Sequence, residues 1–123
     1  MASREDLIKN FKECLEGGLS EESERRYRNA VELYYKAVVA LCDVLILEKE
    51  GDIPDYHKKR DEILEKLNGQ INKIRLGIHT LYRQSYYKTD FTIRDIREIK
   101  NAIKTIVFLK KPGKEIEEIV KKI

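Results

Sequence analysis

The sequence predicts an all-α fold, an up-and-down bundle of four to five helices in which shorter helical segments accompany the main ones. Apolar residues recur at spacings of three and four along most of the 123 residues, which is the period of an amphipathic helix. No stretch alternates apolar and polar residues between hairpin turns, as a half-buried strand would. We expect one domain over residues 1–123, because a chain of this length builds a single core.

The stretch from Tyr27 to Glu50 predicts the central helix of the bundle. From Ala37 to Leu47 every residue except Asp43 is apolar. A helix that is apolar all round has to be covered on several sides, at the centre of a bundle or across a subunit interface. Asp43 should therefore be paired, because burying a lone carboxylate is costly, and Arg83 is the predicted partner. The alternative is a hydrated aspartate at a surface or an interface.

Capping residues and glycines set the predicted ends of the first two helices. Ser3, with an acidic residue three positions later, predicts the start of the first helix, and Gly17-Gly18 predicts its end. Ser20 is the predicted cap of the central helix. Gly51 suits the left-handed position that ends this helix, and Pro54 prevents its continuation.

The next two helices are predicted between Asp55 and Lys88. Asp55 caps the third helix, which carries Tyr56 and ends before Asn68-Gly69. The fourth helix spans about residues 70–88. Gly77 lies inside it at a cost in helix propensity, so we expect this glycine to mark a close contact with another helix.

The last two helices are separated by Pro112-Gly113. Thr92, with an acidic residue three positions later, forms a capping-box pattern at the start of the fifth helix. Its isoleucines recur at helical spacing up to the proline and glycine. A short final helix is predicted over residues 114–123.

The composition argues against several classes of protein. Cys14 and Cys42 occupy apolar helical positions outside any metal-binding or redox motif, so we expect two core side chains in a reducing cytosol. No metal or cofactor signature is present. There is no signal-peptide pattern, and the longest near-apolar run is too short for a membrane span, so a cytoplasmic protein is expected. Abundant lysine, glutamate and isoleucine are typical of heat-adapted organisms.

Charge is distributed unevenly along the chain. The first 61 residues carry 11 basic and 14 acidic side chains, whereas the remaining 62 carry 14 basic and 8 acidic ones. This asymmetry indicates an acidic partner, either nucleic acid or an acidic protein. An ordinary solvated face is the alternative interpretation.

The end of the predicted fourth helix carries a candidate site. His79, Arg83 and Tyr87 are four residues apart, so they share one stripe of a helix. Arginine offers a fixed fork to phosphate, while histidine and tyrosine can donate, accept or stack. This pattern favours an RNA-facing surface. The alternative is that Tyr86 and Tyr87 pack in the bundle and that Arg83 pairs with a nearby acid.

Further candidate anion-binding residues are less specific. His57 could contact phosphate, cap the third helix or be an ordinary exposed histidine. The fifth helix carries a stripe of cations that suits a phosphate backbone and equally suits a solvated face: Arg94, Arg97, Lys100 and Lys104.

The order of these features resembles the HEPN family. Three blocks carry the resemblance, namely Tyr27-x-x-Ala30 through Tyr34-Tyr35-Lys36-Ala37, the apolar run to Leu47, and Gly51-Asp52-Ile53-Pro54-x-x-His57. The segment Leu81-Tyr82-Arg83 to Tyr87, followed by a loop and an isoleucine-rich helix, is similar to the later helices of that family. The resemblance covers about residues 25–110 and is greatest to small stand-alone archaeal members.

The resemblance implies a helical bundle that forms a homodimer. Active members are metal-independent endoribonucleases whose Arg-x(4–6)-His motifs meet at the dimer interface. Many are toxins paired with a nucleotidyltransferase-like antitoxin, and others only bind RNA or a nucleotide. By resemblance, Arg83 matches the motif arginine and Asp43 the supporting acid. Lys88 stands five residues after Arg83, where a histidine is expected, and lysine exchanges protons poorly near neutral pH.

Three interpretations follow from the sequence. The favoured one is a HEPN-like module without catalysis, which binds RNA, a nucleotide or a partner protein through Arg83, Tyr87, Lys88 and the fifth helix. The second is a metal-independent endoribonuclease, with Arg83 stabilising phosphate charge, Asp43 in support, and His79, Tyr87 or Lys88 assisting. The third is a structural dimeric partner of a nucleotidyltransferase-like protein.

Overall fold

The computed structural model describes residues 3–55 and 57–123, without the side chain of His57. These residues form six helices joined by turns and loops, and no strand occurs among them. The predicted all-α class is confirmed. The helices are α1 Arg4–Ser23, α2 Tyr27–Glu50, α3 His57–Leu67, α4 Gly69–Gln84, α5 Ile93–Lys110 and α6 Lys114–Val120.

Helix α2 lies at the centre of the molecule. It packs against α1, α3, α4 and α5. Every residue from Ala37 to Ile46 is buried except Val39, which is half-buried. The central position predicted from the apolar run is therefore confirmed, and a single chain provides the cover that this run requires.

Three predicted helix boundaries are confirmed by the hydrogen bonds that make them. The Ser3 hydroxyl accepts from the backbone N–H of Asp6 at 3.1 Å. The Asp95 carboxylate accepts from the backbone N–H of Thr92 at 2.8 Å, as a capping box requires. Gly51 ends α2 with a φ of 80°, a left-handed conformation that glycine adopts without steric cost.

The predicted end of the first helix at Gly17-Gly18 is wrong. Helix α1 continues to Ser23, so Ser20 lies inside it and does not cap α2. The glycines serve the packing of α1 against α2. A Cβ atom at Gly18 would lie 2.5 Å from the ring of Tyr34, and one at Gly17 would lie 3.2 Å from Leu33.

Two expectations for the fourth helix are also wrong. Helix α4 ends at Gln84, and a turn over residues 85–87 follows where the prediction extended the helix to Lys88. Gly77 is exposed, and no atom lies within 4 Å of the position that its Cβ would take. It therefore marks no close helix contact. The predicted place of Tyr56 in the third helix falls outside the described residues.

Candidate functional site

Asp43 forms a buried ion pair with Arg60, which corrects the predicted pair with Arg83. The Arg60 guanidinium donates to both carboxylate oxygens, from Nε at 2.7 Å and from a terminal nitrogen at 3.1 Å. Helix α3 packs on α2 and brings Arg60 to this position. Arg83 is exposed and lines a separate depression with Thr80, Gln84 and Tyr87.

A second buried arginine lies beside this pair. Arg75, on α4, is 2% exposed, and it forms an ion pair with Asp61 of α3. Its guanidinium also donates to the Asn72 side-chain oxygen at 3.2 Å. The sequence interpretation missed Arg75, although its spacing of four from Ile71 and three from Ile78 places it on the core face of α4. Together the two arginines and two aspartates bind α3 to α2 and α4.

Asp43 and His79 meet at a cavity of about 320 Å³ between α1, α2 and α4. Its polar contributors come from all three helices, and its aromatic wall is a stack of Tyr35 on Tyr82 with ring centroids 4.3 Å apart. The His79 ring centroid is 5.5 Å from that of Tyr35. The residues that line the cavity are Asn10, Cys14, Tyr35, Lys36, Val39, Ala40, Asp43, His79 and Tyr82. Arg83 and Tyr87 belong to the separate depression.

From this cavity an aromatic row leads to the surface. It consists of Tyr35, Tyr82, Tyr86 and Tyr87, whose successive ring centroids are 4.3, 5.6 and 6.4 Å apart. Tyr35 is buried, whereas Tyr86 is 60% and Tyr87 is 89% exposed. The alternative in which Tyr86 and Tyr87 pack in the bundle is therefore wrong, because α4 ends before them and the turn directs them outwards.

A hydrogen bond fixes the middle of the aromatic row. The hydroxyl groups of Tyr82 and Tyr86 lie 2.8 Å apart. This bond, with partial burial, raises the pKa of Tyr82 to about 12. Burial also raises the pKa of Tyr35, against the opposing charges of Arg75 and Arg60. Both phenols are neutral near pH 7, so neither supplies a phenolate base.

Several charged side chains surround the exposed end of the row. Arg28 of α2 donates to the backbone oxygen of Ser85 at 2.6 Å, which holds a cation beside the end of α4. The sequence interpretation missed Arg28, and no local pattern marks it. Lys88 lies over the ring of Phe91, with its Nζ 4.8 Å from the ring centroid. Glu32 is the nearby acid and accepts from the Ser85 hydroxyl at 3.2 Å.

The cation stripe on α5 is partly occupied by contacts within the chain. Lys100 forms an ion pair with Glu22 at 2.7 Å, and the charge of Arg97 also acts on that carboxylate. Arg94 and Lys104 are exposed at either end of the stripe. The four cations of the stripe therefore do not form one continuous surface for phosphates, because Lys100 is already paired. The predicted phosphate contact of His57 lies outside the described side chains.

The described residues offer no metal site or reactive thiol. No group of three histidine, cysteine, aspartate or glutamate side chains among them could hold a metal ion. Burial raises the pKa of the Cys14 thiol, although Lys36 opposes the shift, and burial raises that of Cys42 to about 12. Both cysteines are therefore protonated near pH 7. No described helix is long and apolar enough to cross a membrane.

No family model matches this chain, and no curated protein or solved structure is significantly similar to it. The fold and the site define an all-α protein whose helices α2, α3 and α4 are joined by two ion pairs, in which Asp43 and Arg75 are buried. Its distinguishing surface feature is the aromatic row that leads from the cavity to the exposed Tyr87.

Proposed function

We propose that this chain is a HEPN-like helical protein that binds single-stranded RNA at the end of α4 without cleaving it. The observation that carries the proposal is the exposure of Tyr86 and Tyr87 beside the exposed Arg83. A contiguous group of exposed large apolar side chains, unlike a single one, is typical of a binding site. The resemblance in sequence adds the expectation of RNA as that partner.

The exposed rings and cations are suited to the two parts of a nucleotide. Bases stack on aromatic side chains with about 1–3 kcal/mol per base, independently of base identity. Arg28 is held beside the turn over residues 85–87 by its hydrogen bond to the Ser85 backbone oxygen, and the exposed Arg83 lines a depression with Tyr87. Their guanidinium groups can receive the phosphates between stacked bases.

Binding without cleavage is favoured because Asp43 is paired with Arg60 and because His79 and Arg83 do not line the same cavity. Both carboxylate oxygens of Asp43 accept hydrogen bonds from Arg60. His79 lines the cavity, whereas Arg83 lines the other depression. His79 and Arg83 thus line two different depressions of the chain. The homodimer, the nucleotidyltransferase-like partner and the cytoplasmic location remain predictions.

Fluorescence anisotropy with a labelled, unstructured RNA of about 12 nucleotides tests the proposal, since such a strand spans a typical single-strand site. We expect Tyr87→Ala to weaken binding by about 5- to 100-fold through the loss of stacking. Arg83→Ala should weaken binding less and reduce the salt slope by about one unit. The matched control is Phe108→Ala, which removes another aromatic ring, 75% exposed, on α5.

Two results would contradict RNA binding at this site. One is the lack of any binding at about 50 mM salt, where phosphate contacts are strong. The other is an equal loss of affinity in Phe108→Ala and Tyr87→Ala. Cleavage is tested by long incubation of mixed tRNA with the protein and a chelator. Intact RNA is expected, whereas cleavage that Arg83→Ala abolishes would support the endoribonuclease instead.

A further inference from the structure

The cavity at the inner end of the aromatic row is suited to a small ligand. Its volume of about 320 Å³ lies at the lower end of the roughly 300–1,000 Å³ that small-molecule sites occupy. One wall is formed by the stacked rings of Tyr35 and Tyr82, with His79 at its edge. Polar side chains from α1 and α2 complete the lining, notably Asn10 and Lys36.

Tyr82 connects this cavity to the exposed rings. Its ring lines the cavity, and its hydroxyl group shares a hydrogen bond with the hydroxyl group of Tyr86. Tyr86 is 60% exposed. A strand stacked on Tyr86 and Tyr87 would therefore lie one ring away from a residue that lines the cavity. The next base along that strand can leave the stack and enter it, because its ring finds an aromatic wall in place of its neighbour.

We infer that the cavity receives one unstacked base of the bound strand and selects guanine or uracil, which carry a carbonyl oxygen, O6 or O4, where adenine and cytosine carry an amino group. This inference rests on the proposed RNA binding. The polar side chains that line the cavity form hydrogen bonds with the edge of this base. The cavity thus adds sequence preference to an interface whose exposed rings have none.

Two of the polar side chains that line the cavity, Asn10 and Lys36, offer hydrogen-bond donors to a ligand. Lys36 is exposed at the cavity, and its ammonium group only donates. The Asn10 side-chain oxygen already accepts from the Cys14 thiol at 3.6 Å, which leaves its amide nitrogen to donate. Both oxygens of Asp43 are taken by Arg60. Guanine and uracil present carbonyl oxygens to such donors, whereas adenine and cytosine present amino groups at the same edge.

Four pentanucleotides that differ only in the central base test this preference: AAGAA, AAUAA, AAAAA and AACAA. By anisotropy with the full chain, we expect the first two to bind about tenfold more tightly than the last two, as one pair of base-edge contacts requires. The double variant Asn10→Ala with Lys36→Met should lose this preference and keep the weaker binding of AAAAA. Both positions are exposed, so the fold is retained.

Lys12→Met is the control, since it removes an exposed cation of α1 that does not line the cavity. It should leave the preference unchanged. Equal binding of all four strands, or a preference that survives in the double variant, would overturn the base pocket alone. Failure of every strand to bind would instead overturn RNA binding, and the pocket with it. Guanine and uracil are distinguished by the ratio of the first two affinities.

Discussion

At the scale of single residues, the buried carboxylate of Asp43 depends on Arg60 for its counter-charge. Its place in an apolar run requires a partner, but the choice of Arg60 depends on how α3 returns along α2. Asp43→Ala leaves the Arg60 side chain, 12% exposed, without its counter-charge. We expect the free energy of unfolding, measured in urea, to fall by about 3–5 kcal/mol.

Arg60→Met in the Asp43→Ala background removes the stranded charge, so it should recover much of the lost stability. The control is Arg83→Ala, which should stay within about 0.5 kcal/mol of the parent protein because Arg83 is exposed. A strong energetic coupling of Asp43 to Arg83 instead of Arg60 would contradict the ion pair.

Glu22 is a second residue whose charge supports the fold. It accepts from the Tyr34 hydroxyl at 2.7 Å and forms an ion pair with Lys100 at 2.7 Å, so it joins α1 to α2 and α5. Burial raises its pKa, but the hydrogen bonds donated by Lys100 and Tyr34 outweigh burial and lower the pKa below its ordinary value of 4.5. A lowered folded-state pKa stabilises the protein above the unfolded pKa and loses that effect as pH falls.

Glu22→Gln should therefore reduce the free energy of unfolding by about 1–2 kcal/mol near pH 7. The difference from the parent protein should shrink as pH falls from about 5 to about 3, since both proteins then carry a neutral side chain at this position. Urea unfolding across that pH range measures this difference in the free energy of unfolding. The control is Glu98→Gln, at an exposed position. A difference that is constant with pH would show that the charge of Glu22 is not responsible.

At the scale of helices, two glycines of opposite environment test how α1 and α2 pack. A methyl group at Gly18 would lie 2.5 Å from the fully buried ring of Tyr34, whereas one at Gly77 would meet nothing within 4 Å. We expect Gly18→Ala to destabilise the protein by about 1–3 kcal/mol through overpacking. Gly77→Ala should stabilise it by about 0.5–1 kcal/mol through helix propensity. Thermal or urea unfolding measures the change in the free energy of unfolding in both variants. A Gly18→Ala variant as stable as the parent protein would contradict close packing of these helices.

The same two glycines show which parts of the helices the sequence could predict. Ends made by local hydrogen bonds, at Ser3, Thr92 and Gly51, were correct because the residues that form them are neighbours in the chain. The roles of Gly18 and Gly77 depend on side chains from other helices, or on none, and sequence neighbours do not reveal these. For the same reason the sequence did not reveal that residues of the candidate stripe on α4 line different depressions. His79 lines the cavity, whereas Arg83 does not.

At the scale of the whole molecule, the uneven charge of the chain overstates the basic surface. The last 62 residues carry 14 basic side chains, yet Arg75 is buried in an ion pair and Lys100 is paired with Glu22. Arg83 remains exposed and lines a depression with Tyr87 of the aromatic row. We expect affinity for RNA to depend more on stacking than on phosphate contacts, which is why Tyr87→Ala is the more severe variant proposed above.

The core also determines how this protein should behave on dilution. The apolar run of α2 is covered by four helices of its own chain, so burying it does not require a second copy. The test is made at a concentration of about 1 µM or below, at which light scattering gives the mass of one chain, 14.5 kDa. Under that condition we expect the far-ultraviolet circular dichroism spectrum of a helical protein. We also expect one cooperative unfolding transition. A homodimer of the kind that the resemblance implies would then have to form between chains that are already folded. Loss of the helical signal on dilution would show instead that the chain folds only as a dimer, and that the cover of α2 by its own helices does not suffice for stability.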